Sequence, residues 1–177
     1  MRRKQVLTMG LVPLALLAMA FPASGSPEPL EIAGSVTGLL DEQEREWLIV
    51  REGDDSTATF TELGDRIKIE LVGFVEGDVG QARESLSLSI ILVEGAVTEF
   101  DILHPISTTA MPPVFTSEGA AVELTLDTFE VSGSQARVAG SVEGTLALQT
   151  ELGEDAVMDQ GVAIAIEFDT EALRIEY

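Results

Sequence analysis

The chain has 177 residues, with 31 Asp and Glu against 10 Lys and Arg, one His, no Cys and 45% hydrophobic content. That length suits one domain with a full core, and the apolar content excludes wholesale disorder despite a formal charge of -21. The lack of Cys excludes disulfides, thiolate metal sites and cysteine nucleophiles.

Arg2, Arg3 and Lys4 precede a mostly apolar run of 15 residues from Val6 to Ala20; Pro22 breaks it, and Ala23-Ser24-Gly25 offers small residues to a peptidase. This order predicts a cleavable signal peptide over residues 1–25, or a cut after Ala20, and so an exported protein, periplasmic or extracellular. A bilayer span needs about 20 residues, more than this run supplies. Arg2-Arg3 admits the twin-arginine route, although Gln5 stands where such signals carry an apolar residue. Cleavage removes three of the ten basic groups and none of the acidic ones, leaving 7 against 31 and a formal charge of -24 over the 152 residues 26–177. Phosphate backbones and anionic headgroups are repelled by such a field, so neither a nucleic-acid partner nor stable membrane insertion is expected.

Along residues 26–177, read as a single all-β domain, apolar side chains recur at every second position, as in strands with one buried and one wet face. The runs are Ile32 to Leu40, Ala58 and Phe60, Ile67 to Leu71, Leu86 to Leu92, Val122 to Leu126, Val142 to Leu148, and Val162 to Phe168. Asp41 to Glu46 reads as either a helical turn or a hairpin tip. Turn signals separate the runs at Gly53-Asp54, Gly64-Asp65, Gly77-Asp78, Glu94-Gly95, Gly133-Ser134 and Gly153-Glu154. The pattern predicts an antiparallel β-sandwich or flattened barrel of seven to ten strands.

Two irregularities carry further expectations. Alternation slips between Leu126 and Phe129, which predicts a bulge near Asp127-Thr128. Residues 104–119 contain Pro105, Pro112 and Pro113 and read as a long crossing loop, suited to a Greek-key connection. Residues 32–40 and 138–146 also match at six of nine positions, each with two glycines flanking a Val on the apolar side. Such glycines leave notches for a bulky ring or a sharp coil, with Trp47, Phe60 or Phe168 to supply the ring. These Gly-Val runs, with Trp47 after the first, resemble uncharacterised secreted β-sandwich domains of bacteria. The resemblance spans about a quarter of the exported part and implies a sandwich but no activity.

No motif commits the chain to catalysis. His104 is the sole imidazole and shares parity with Phe100 and Ile102, which predicts an inward, structural ring; Ser107 lies near it without a nucleophile elbow. Paired carboxylates for glycoside hydrolysis lack the aromatic cleft walls that such sites use, since only Trp47 and Tyr177 are available beside phenylalanines. Glu52, Asp54 and Asp55, then Glu76 and Asp78, then Glu154, Asp155 and Asp159, are acidic tips without the spacing of a calcium loop. No catalytic, cofactor or metal-binding residue is assigned. Met111, Pro112, Pro113, Val114 and Phe115 are unusually apolar for a surface loop and form a candidate partner contact, unless Val114 and Phe115 plug the end of the core. The expected role is a non-enzymatic binding or structural module for a protein or apolar ligand. A lipid-carrying barrel and a small outer-membrane barrel are the alternatives, the latter suggested by the terminal Leu173, Ile175 and Tyr177.

Overall fold

A computed structural model describes residues 30–176, so the expected signal peptide and Tyr177 lie outside the described residues. Among the described residues the secondary structure is ten strands: β1 (Glu31–Leu40), β2 (Gln43–Glu52), β3 (Asp55–Ser56), β4 (Ala58–Leu63), β5 (Arg66–Gly73), β6 (Leu86–Val93), β7 (Ala96–Pro105), β8 (Val114–Ser132), β9 (Gln135–Gln149) and β10 (Val157–Arg174). They form one sheet. Strands β4 to β10 follow one another as a meander, and the end of β10 returns to pair with β4, the one parallel contact, closing a ring. The β1–β2 hairpin lies on the free half of β10 and reaches β5 through Leu48 and Phe74, which exchange backbone hydrogen bonds of 2.8 and 3.0 Å. The fold is therefore the flattened-barrel form of the expectation, closed without a second sheet.

Period-2 patterning built the core as expected. Leu86, Leu88, Ile90 and Leu92 of β6 are buried, as are Ile69 and Leu71 of β5, Val142 and Leu146 of β9, and Ile164, Ile166 and Phe168 of β10. Each such aliphatic side chain stabilises the barrel by about 1.5–3 kcal/mol relative to exposure. The bulge falls where the slip in alternation placed it: Leu126 pairs with Gly140 and Thr128 with Ala139, leaving Asp127 as the extra residue. That insertion turns Phe129 inward onto Phe60, with ring centroids 5.8 Å apart.

The repeated glycine segments acquire a common meaning in β1 and β9, which flank β10 on opposite edges and run parallel to one another. Val36 and Gly140 share Phe168 as a neighbour, and Gly38 and Val142 share Ile166. A glycine on one side thus stands across β10 from a bulky residue on the other. A Cβ on Gly140 would lie 2.7 Å from the Phe168 ring, so that ring fills the notch. At Gly38 and Gly144, with φ of 148° and 143°, the neighbouring strand passes so close that a side chain would meet the backbone of Ala165 or Ala121.

Of the two readings of residues 41–46 the hairpin tip holds, as a two-residue turn, Asp41-Glu42, between β1 and β2; alternation does not mark β2 because Leu48-Ile49-Val50 is a continuous apolar run. Two expectations are corrected. Ile32 faces outward because the β1 register shifts between Ile32 and Gly34. The proline-rich segment makes no Greek-key crossing. Its irregular part is residues 106–113, and it joins neighbours, since Pro105 pairs with Val114 and Leu103 with Thr116.

Candidate functional site

Strand direction sorts the connections onto two ends of the barrel. One end carries two-residue turns at 53–54, 64–65, 94–95 and 133–134. The other carries loops 74–85, 106–113 and 150–156, together with the Asp41-Glu42 turn. The loop end holds the proline-rich segment, and beside it lies a cluster of polar contacts around Glu84 and Ser85.

Loop 74–85 enters the barrel mouth at Glu84 and Ser85, where backbone carbonyls leave water and need donors. Two rings from different strands supply them. Trp47 of β2 donates from Nε1 to the Glu84 carbonyl at 2.7 Å, and His104 of β7 holds its Nδ1 at 2.9 Å from the Ser85 carbonyl. A carbonyl only accepts, so Nδ1 carries the proton and the neutral ring keeps its lone pair on Nε2. Glu84 N–H donates to Pro105 O at 3.1 Å, and Arg45 reaches the Glu84 carboxylate at 3.3 Å. Gly73 makes room for Trp47, since a Cβ there would lie 2.6 Å from the Trp47 Cβ. Burial lowers the His104 pKa below its ordinary 6.5; the Ser85 contact and Glu84 oppose that shift, and the Arg45 charge adds to it.

The predicted contact residues separate into two groups. Met111 is 51% exposed and Pro113 is exposed, with Pro112 partly so. Val114, only 2% exposed, and Phe115 belong to β8 instead; Phe115 lies nearly parallel to His104 with centroids 6.3 Å apart, and Trp47 meets His104 edge-on at 6.1 Å. Val114 is thus removed from the contact surface, and with Phe115 it helps close the barrel mouth. The Ser107 hydroxyl bonds to Thr109 and Met111 of its own loop. Among the described residues no three carboxylate or imidazole side chains group so as to hold a metal ion.

Sequence reasoning missed Arg45, Glu84 and the carbonyl-capping role of Trp47, because nothing in the local pattern joins β2 to loop 74–85. It marked residues 153–155 as a turn and an acidic tip but missed their apolar neighbour: loop 150–156 adjoins the proline-rich loop through the Val114–Gln149 pair and exposes Leu152 at 73%. On the outer wall, Ser35, Thr37, Ser141 and Glu167 edge a shallow trough floored by Gly140. There Arg137 grips Asp169 through hydrogen bonds of 3.1 and 2.8 Å, which holds the Asp169 carboxyl below its usual pKa. No protein-family model, curated protein or solved structure matches the chain.

Proposed function

We propose that the chain is an exported, non-enzymatic binding module that meets a partner protein with the loop end of its barrel. The observation that carries this reading is the set of apolar side chains presented there on adjacent loops: Ile106 at 42%, Met111 at 51% and Leu152 at 73% exposure. Such side chains above a closed mouth add little to the core, and they offer area that a partner can bury. Because the surrounding field is strongly negative, the complementary partner face is apolar with a basic rim.

The alternatives fit the geometry less well. Trp47, Phe60, Phe168 and the aliphatic rows meet one another inside the barrel, which favours a packed interior over one shaped for a lipid chain. Glu123, Glu143, Glu167 and Asp169 point outward from β8 to β10, where a membrane barrel would carry an apolar band. His104, bound to a carbonyl with no serine hydroxyl against it, supports a structural role for that ring.

The test places a photo-crosslinking residue at Met111, at Leu152 and, as a control, at Glu70 on the β5 wall, with the protein expressed in its own host. The expected result is one discrete adduct from the first two positions and none from the third, abolished by Ile106→Asp. Equal labelling from all three positions, or no adduct at either loop, would overturn the reading. Extractable lipid accompanying the purified protein in native mass spectrometry would replace it with the carrier.

A further inference from the structure

We infer that the barrel wall contains a seam between β7 and β8 that accepts an extended, basic strand from another protein. The ladder between these strands has three pairs, from Leu103–Thr116 to Pro105–Val114, and it stops at Ile102, whose N–H donates to the Ser117 hydroxyl at 2.8 Å. Beyond that point, residues 96–101 of β7 have β6 as their only ladder partner, residues 121–132 of β8 have only β9, and residues 118–120 of β8 lie in a break of the β8–β9 register. Each strand therefore presents a free edge of backbone donors and acceptors, the template on which β-strand addition works.

Burial marks the same place independently. Inward side chains are almost wholly buried along β6 and much of β9, yet those beside the seam are only half-buried: Val97 and Phe100 on β7, and Val122, Leu124, Leu126 and Phe129 on β8. Ile102, where the ladder ends, is buried again. The inner lining is thus incomplete along this line, where the half-buried residues adjoin the strand edges without a ladder partner. A strand added to these edges would send alternate side chains inward over the half-buried residues and the others outward.

Charge identifies the occupant. Neither β7 nor β8 carries a Lys or Arg. Their exposed positions along the seam include Glu99, Asp101, Glu118, Glu123, Asp127 and Glu130. A second copy of the chain would bring the same acidic edge and be repelled, whereas a segment alternating apolar residues with Lys or Arg would match both faces. This surface is separate from the loop end, and its occupancy does not depend on the contact proposed there.

The test uses two synthetic peptides of identical composition, one alternating Lys with Val and one with the same residues in two blocks, each titrated into the purified protein at physiological salt. We expect the alternating peptide to bind at least about tenfold more tightly than the block peptide, and to slow amide exchange along residues 96–101 and 118–128. The double reversal Glu99→Lys with Glu123→Lys should remove that preference, while Glu70→Lys on β5 and Met111→Asp at the loop end should retain it. Far-ultraviolet circular dichroism checks that these surface variants keep the strand signal. Equal affinity for both peptides, no binding, or protection that appears elsewhere would overturn the proposal. Self-association protecting the same edges would overturn it too, by making a second copy the occupant.

Discussion

The two ends of the barrel solve the same problem, reversing the chain without stranding its polar groups, by opposite means. At the turn end, each two-residue connection contains a glycine at positive φ: Gly53, Gly64, Gly95 and Gly133. The backbone makes the turn there, with geometry that suits the twist of the flanking strands. At the loop end, loops of seven to twelve residues are held by side chains: Trp47 of β2 and His104 of β7 on consecutive carbonyls of loop 74–85, and Gln149, at the end of the adjoining β9, on Glu154 O at 2.8 Å. One end is specified locally and the other by tertiary contacts. Perturbations should therefore spread differently from each.

The largest contrast is expected at Trp47. Trp47→Ala removes a buried ring and leaves the Glu84 carbonyl without its donor, costing about 3–5 kcal/mol. Trp47→Phe retains most of the packing and should cost about 1–2 kcal/mol through the lost hydrogen bond. At the turn end, an added Cβ on Gly64 meets nothing within 4 Å, so Gly64→Ala carries only the left-handed backbone cost of about 1 kcal/mol. Urea denaturation gives all three values. Equal losses for Trp47→Ala and Gly64→Ala would remove the distinction between the ends.

That distinction also explains what could be read in the sequence. Glycine-bearing turns and alternating rows are local signals, so six of the connections and most of the core lie where residue order alone placed them. The Asp127 bulge was legible for the same reason, because a slip in parity needs no partner to be seen. Trp47 with Glu84, separated by 37 positions, has no such signature. Closure of β10 on β4 likewise joins strands far apart in the chain, and the point at which the ladder between the neighbouring strands β7 and β8 stops is set by tertiary register that no local pattern marks. The candidate contact was half legible. Apolar composition singled out residues 111–115, but only register tells the buried Val114 from the exposed Met111.

A second, smaller effect concerns pH. The folded state holds His104 neutral, with its pKa lowered chiefly by burial, so the unfolded chain binds more protons as pH falls below the ordinary 6.5. The stabilisation from His104 is accordingly complete above that pH and declines as pH falls toward the lowered folded-state value. No other imidazole exists to obscure this window, and Asp169, whose carboxyl pKa is lowered by Arg137, acts only at more acid pH. Unfolding free energies measured between about pH 8 and about pH 5.5 should fall, and His104→Phe should flatten that slope. The Gly64→Ala variant, altered at the other end, should retain it. An unchanged slope in His104→Phe would mean that the ring is not held neutral against loop 74–85.

The smallest effect is the most discriminating, because it compares one turn geometry at both ends. Asp41-Glu42 and Glu94-Gly95 each place two consecutive residues at positive φ, 51° and 61° in the first and 51° and 81° in the second. Both match the two-residue type I′ connection that suits the twist of paired strands, in which the second position favours glycine. At the turn end that position is Gly95; at the loop end it is Glu42, which carries a side chain in a left-handed conformation. The loop-end turn is also tied to the wall, since Asp41 N–H donates to Ala163 O at 2.9 Å. Context thus holds Glu42 where intrinsic preference does not. Glu42→Gly should stabilise the protein by about 0.5–1 kcal/mol, and Gly95→Glu should destabilise it by about 1–2 kcal/mol, because no comparable tether supports that turn. A melting temperature raised by the first and lowered by the second is the expected result. A loss of stability in Glu42→Gly would show that its side chain contributes more to the loop end than its backbone costs, and would extend side-chain control of that end to its shortest connection.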